Sequence, residues 1–186
     1  MNIFLLIILL SFFVISNCQY KIPRRGLAVI NGNYNESKIS GHVMFKQLGP
    51  FLLQISVKIH GIPPNLGPKL GFHVHKNGIL NPSENVTQRC QSAGPHYNPF
   101  HYLHGNITSR CRHMGDYGNV IVNKNGTISQ TFTDRISTLL GPFSILGRTI
   151  VLHEKEDDLG LNPDKNSKLN GNSGPPIACG VIGVWS

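Results

Sequence analysis

Nine histidines are spread unevenly along the 186 residues, and their spacing is the first sign of chemistry. His73 and His75 flank Val74. On a strand, residues i and i+2 share a face, so both imidazoles can approach one metal ion. Taken alone, such a pair serves equally well as two surface histidines of a half-exposed strand. A second group, His96, His104, His113 and Asp116, stands in irregular chain rich in Gly and Pro. Three imidazoles and a carboxylate make the closed tetrahedral donor set of a structural zinc ion. His153 follows on a separate strand, in His153-Glu154-Lys155.

The elements that must position these residues read as all-β. Leu53, Ile55, Val57 and Ile59 alternate with Gln54, Ser56, Lys58 and His60, the period of a half-buried strand. Val43 and Phe45 alternate with His42 and Met44 in a shorter run. Strands over Asn119–Val122 and Thr127–Phe132 flank Lys124-Asn125-Gly126, and Asn-Gly is a strong hairpin signal. Arg148–His153 is a further strand, with β-branched Thr149, Ile150 and Val151. No segment shows an amphipathic helix with caps. Two long stretches, about residues 76–113 and 154–176, lack strand patterning. Loops of that length in a compact domain are functional or need a staple, and the candidate ligands and cysteines lie in or beside them. No internal repeat or second domain is evident.

Residues 1–18 read as a secretory signal peptide. They carry no charged side chain, Ile3–Ile15 is densely apolar, and Ser16 and Cys18 are small residues placed for cleavage before Gln19. The run is shorter than the roughly 20 residues a spanning helix needs, and no later stretch is long and apolar enough to span a bilayer. Residues 19–186 then form one domain, secreted and extracellular. Sequons at Asn35, Asn85, Asn106 and Asn125 fit export of a glycoprotein. The formal net charge of +8 favours anionic partners. Weak binding to acidic glycans is one expectation, drawn from Lys21, Arg24 and Arg25; no nucleic-acid motif is present. Cys90, Cys111 and Cys179 remain after cleavage, enough for one disulfide and one leftover thiol.

Six ordered segments resemble the copper/zinc superoxide dismutases. They are Gly71–His75, Ala93–Pro99, Gly115–Val120, Gly147–Thr149, His153–Gly160 and Ala178–Gly183, covering nearly all the chain from about Leu27. The resemblance implies a Greek-key β-barrel or sandwich with a long zinc-binding and disulfide loop and a long electrostatic loop. It implies one copper on His73, His75, His96 and His153, and one zinc on His96, His104, His113 and Asp116. His96 would bridge both metals and act as the catalytic proton carrier. Asp157 would link ligands of the two metals by hydrogen bonds, and Cys90 would pair with Cys179. Cys111 is left as a buried thiol, an intermolecular bridge or an alternative partner. The expected substrate is the superoxide anion and the expected assembly a homodimer, for which Leu146, Val184 and the segment Gly180–Trp185 are candidate contacts.

Two departures qualify this. The position of the family's anion-guiding arginine holds Pro176, which offers neither charge nor donor. Lys165 and Lys168 are candidate replacements in the same loop. The loop over residues 76–89 is also longer than the family's. An active secreted dismutase, converting superoxide to dioxygen and hydrogen peroxide, is therefore set against a catalytically weak copper- and zinc-binding protein that sequesters metal or competes with active enzyme.

Overall fold

The structure, a computed structural model, describes residues 24–78, 81–82 and 85–185. The expected leader and Lys21 lie outside the described residues. Strands β1 (Arg25–Tyr34), β2 (Ser37–Gly49) and β3 (Leu52–His60) follow one another as an antiparallel meander. They are followed by β4 (Lys69–His75), β5 (Asp116–Ile121), β6 (Ile128–Asp134), β7 (Thr149–His153), β8 (Pro176–Val181) and the short β9 (Gly183–Val184). The spatial order is β5-β4-β7-β8-β1-β2-β3-β6, with β9 paired to β1. The hairpin at Asn125-Gly126 returns β6 towards β5, and Ile121 N donates to Gln130 Oε1 across the seam (3.0 Å). The eight strands thus curl into a nearly closed barrel. Spatial order departs from chain order at β3–β4 and β6–β7, as Greek-key connections do.

The alternation in β3 has the expected result: Leu53, Ile55, Val57 and Ile59 are buried in the barrel. In β4 and β7 every residue but Lys69 is buried, which masks the same alternation. Leu70, Phe72 and Val74, with Ile150 and Leu152, belong to the barrel core. His73, His75 and His153 alternate with them, so they project from the barrel's outer face. They are buried because the two long loops lie over that face. This is how a barrel wall comes to carry a closed polar site.

Each long loop contains a helix of six residues, α1 (Val86–Gln91) and α2 (Lys165–Asn170). Neither was legible, because six residues are too few to establish a 3.6-residue period. Asn85 caps α1 by accepting from Gln88 N, and Asp164 caps α2 by accepting from Ser167 N. Helix α1 brings Cys90 to Cys179, and the two form a disulfide. Val86, Ala93 and Val151 pack around it as a second small apolar cluster. Closing a loop of 89 residues stabilises by roughly 4–5 kcal/mol in the chain-entropy view. Cys111 is exposed and free, which excludes the buried-thiol and alternative-partner readings. The first long loop has a further anchor: the buried Arg112 guanidinium pairs with buried Asp134 on β6 and donates to His113 O (2.9 Å).

Candidate metal centre

His73 and His75 from β4, His96 from the first long loop and His153 from the end of β7 bring ligand atoms within 4.8 Å of one another. So do His96, His104, His113 and Asp116, the last at the start of β5. All seven side chains are buried. His96 belongs to both groups, and its ring stacks on that of His73 at 4.1 Å between centroids. Every ligand-type residue singled out in the sequence is therefore brought into one compact centre.

Hydrogen bonds decide which ring nitrogen each histidine has left to offer. A carbonyl or carboxylate oxygen only accepts, so the nitrogen facing it must carry the proton. His75 Nδ1 donates to Gly94 O (2.6 Å) and His153 Nδ1 donates to Gly174 O (2.8 Å). Their Nε2 atoms are left as lone pairs, 3.2 Å apart. His73 Nε2 donates to Asp157 Oδ2 (2.9 Å), leaving Nδ1. His96 is different: its Nδ1 is turned to the second group, 2.9 Å from Asp116 Oδ1, and its Nε2 to the first. His73 Nδ1 and His96 Nε2 are buried without any hydrogen-bond partner. A buried nitrogen without a partner is costly unless something absent fills the place. Four lone pairs that converge, three of them set by a bond on the far side of the ring, fit a cation.

The second group fits equally well. His104 Nε2 donates to Asp157 Oδ1 (2.8 Å), so its Nδ1 is free to ligate. That Nδ1 lies 3.0 Å from Asp116 Oδ2 without hydrogen-bond geometry. His113 Nδ1 is 3.2 Å from Asp116 Oδ1 and 3.5 Å from His96 Nδ1. Tetrahedral ligands about 2.05 Å from zinc stand roughly 3.3 Å apart, close to these separations. Asp116 is held in place by Gly105 N and His113 N, both donating to Oδ2 (3.1 Å each). No position for a substrate remains in this set, as in a structural site.

Asp157 therefore accepts from one histidine of each group, His73 and His104. The second long loop holds it there. Asn119 on β5 clamps its backbone twice, donating from Nδ2 to Asp157 O (2.8 Å) and accepting from Asp157 N (2.7 Å). Gly171, the left-handed C-cap of α2, passes so close that a Cβ there would lie 1.8 Å from Asp157 Oδ1. Asn119 and the two carbonyls of Gly94 and Gly174 are the positioning groups that the sequence did not reveal. Only Asn119 left a trace, as a member of the Gly115–Val120 segment.

Burial, with neighbouring imidazoles second, holds His73, His75 and His96 well below the usual histidine range, and burial pushes His153 down to about 4. Burial opposes protonation of His104 too, but the facing carboxylates of Asp116 and Asp157 outweigh it and raise the group to about 9. For Asp116, burial is outweighed by the facing imidazoles of His104, His113 and His96, which hold the carboxyl far below its ordinary range. A histidine whose folded value is depressed adds stability above its unfolded value of 6.5 and loses it as pH falls towards the folded value. Protein stripped of metal by a chelator is thus expected to weaken between pH 7 and pH 5, by about 2 kcal/mol from His153 alone. His104, whose folded value is raised, gains a smaller amount as pH falls through 6.5 and offsets only part of this. Denaturant melts at the two pH values test it, and equal midpoints would contradict it.

Pro176 begins β8, is buried, and pairs with His153 at a register shift. The family's arginine position is thus next to a histidine of the first group but carries no cation. Lys168 donates its ammonium to Gly160 O, and Lys165 is exposed on α2. Neither is hydrogen-bonded to the four-histidine group among the described residues.

Comparison with known proteins agrees with this geometry. The family model described as copper/zinc superoxide dismutase matches residues 39–182. The Cu-Zn superoxide dismutase of Schizosaccharomyces pombe is 42% identical over 160 residues, 86% of this chain and 97% of the relative. The extracellular Cu-Zn superoxide dismutase of Drosophila melanogaster is 39% identical over 167 residues, 88% of this chain and 87% of the relative. Among solved structures, the clock protein EA4 superposes with a TM-score of 0.77 at 37% identity, covering 89% of this chain and 98% of the other.

Proposed function

The chain belongs to the copper/zinc superoxide dismutase family, and on that premise we propose that it is an exported superoxide dismutase. The observation that carries this reading is the set of four converging lone pairs on His73, His75, His96 and His153, beside a closed second set that includes Asp116. The first set would hold one copper ion and the second one zinc ion. Bound copper would supply the one-electron exchange that oxidises one superoxide to dioxygen and reduces the next to hydrogen peroxide.

The chain's own residues do the rest. Gly94 O and Gly174 O lock the rings of His75 and His153, and Asp157 locks those of His73 and His104. His96 is the proton carrier: its Nδ1 stays anchored beside Asp116 while Nε2 takes up a proton and passes it to the reduced oxygen. Pro176 leaves the approach of the anion without a directed donor, so turnover is slower than in an arginine-bearing relative.

Export is supported by the expected leader, the Cys90–Cys179 disulfide and the likeness to the fly's extracellular protein. Asn35, Asn85 and Asn125 are exposed at turns or a helix start, and Asn106 is partly exposed. Homodimer formation is supported by an apolar surface where β1, β8 and β9 meet: Val29, Val181, Val184 and Trp185 are all exposed. The test is exported protein of measured copper and zinc content, its intact mass beginning at Gln19, assayed for superoxide consumption per copper. Fully metallated protein that consumes none would leave only the metal-binding reading.

Asp157→Asn is expected to weaken metal binding by about 10- to 100-fold. An amide has one accepting oxygen, so it cannot accept from both His73 Nε2 and His104 Nε2, and one ring must change tautomer or turn. Competition with a chelator, read for copper and zinc separately, measures it. Unchanged affinity for both metals would make Asp157 merely a loop residue.

A further inference from the structure

A hollow of about 580 Å³ opens beside the metal centre, between the first long loop, the chain before β7 and helix α2. Its volume lies within the range of small-molecule sites. Tyr97, Phe143, Leu169 and the three prolines Pro95, Pro99 and Pro142 give it apolar walls. Lys76 and Arg148 stand in the same lining, and no carboxylate does. The two cations are neighbours because Lys76 follows β4 and Arg148 precedes β7. Those strands pair antiparallel as far as His75 and Thr149.

Both cations retain free donors. Arg148 donates from Nε to Ser144 O (3.1 Å) and from Nη1 to Lys76 O (2.8 Å), and its guanidinium lies over the Tyr97 ring, 3.4 Å from the centroid. Its Nη2 has no partner, and neither Arg148 nor Lys76 makes an ion pair, among the described residues. The apolar side is equally well organised. Phe143 packs on Phe100 at 4.9 Å between centroids, and Phe100 on Tyr102 at 6.3 Å. All three rings are exposed, as is Leu169. Asn98 pins the turn that presents Phe100 and Tyr102, accepting from Tyr102 N (3.1 Å) and donating from Nδ2 to Tyr102 O (2.8 Å) around His101, whose φ of 57° is left-handed. Apolar side chains clustered and held at the surface mark a place where something binds.

We propose that this hollow binds a small aromatic carboxylate. The rings of Phe143 and Tyr97 and the flat faces of the prolines suit a planar apolar body, and aromatic pairs gain beyond the area they bury. The Arg148 Nη2 and the Lys76 ammonium supply charge-assisted donors for one carboxylate. With no acid in the lining, their positive potential is not cancelled locally. Two adjacent cations beside apolar walls select a ligand with a single anionic end. The inference does not rest on the dismutase reading, since Lys76, Arg148, Tyr97 and Phe143 all lie outside the two ligand groups.

The test titrates naphthoate into the full exported protein, loaded with copper and zinc, and follows it by calorimetry and by the visible absorption of copper. Saturable binding of one molecule per chain is expected, with no change in the copper absorption. Lys76→Gln should weaken it about tenfold, and Phe143→Ser about threefold or more. Both side chains are exposed, so neither change should disturb the barrel. Lys58→Gln removes the same charge from the exposed side of β3 and should leave affinity within about twofold of the parent. Naphthylmethanol, the uncharged counterpart, should bind at least about tenfold more weakly than naphthoate. Equal weakening by Lys58→Gln and Lys76→Gln would show net charge rather than this hollow at work and would overturn the proposal. So would a shift in the copper absorption on binding, which would put the carboxylate on the metal. Naphthylmethanol binding as tightly as naphthoate, or a parent protein that binds neither, would overturn it as well.

Discussion

Replacing His96 by alanine should deplete the protein of both metals and lower superoxide consumption per molecule at least about 100-fold. The size follows from losing a positioned proton carrier, commonly worth 100-fold or more, together with a ligand of each site. His96 is the only residue common to both ligand groups. Its Nδ1 stands among His113 and Asp116, and its Nε2 is buried and free on the side of His73, His75 and His153. His113→Ala is the informative contrast. His113 belongs to the second group alone, so its loss should lower zinc and largely spare copper. Elemental analysis of the two variants, with circular dichroism to confirm the barrel, separates these outcomes. If His96→Ala keeps both metals at parental levels, the ring does not bridge them.

Pro176→Arg should raise the rate per bound copper by roughly tenfold to 100-fold. A hydrogen bond to a charged group contributes about 1.5–3 kcal/mol, which becomes that range of rate if it acts in the transition state. Superoxide is a monoanion, and the net charge of +8 can raise its encounter rate over a distance. Long-range attraction is screened by salt and supplies no short, directed contact. Rates per copper for parent and variant, at low and high salt, give the answer. The parent should lose rate steeply with salt and the variant should remain faster throughout. A parent as fast as an arginine-bearing relative, with no gain from Pro176→Arg, would mean that another cation guides the anion. Absence of activity in both fully metallated forms would favour metal sequestration instead.

The sequence alone determined the all-β class, the Asn125-Gly126 hairpin and the identity of the seven ligand-type residues. Each of these is encoded locally. The two-residue period fixed the inward face of β3, Asn-Gly fixed a tight turn, and His73-Val74-His75 put two imidazoles on one face of a strand. The resemblance added the Cys90–Cys179 pair, which is formed, and pointed to Asp157, which accepts hydrogen bonds from His73 and His104. Strand β1 was not legible, because Leu27 and Val29 face outward and fill in the alternation set by Ala28 and Ile30.

Only the tertiary structure decided which nitrogen of each histidine is free. That choice depends on Gly94 O, Gly174 O and Asp157, which reach their rings from 19, 21 and 84 residues away in the chain (His75, His153 and His73). It likewise decided that histidines on the outside of a barrel are buried, since the covering loops are closed by a disulfide spanning 89 residues. A linear sequence carries periods and residue types strongly because they act between near neighbours. Proton placement arises between distant segments, and it exists only once the barrel has closed.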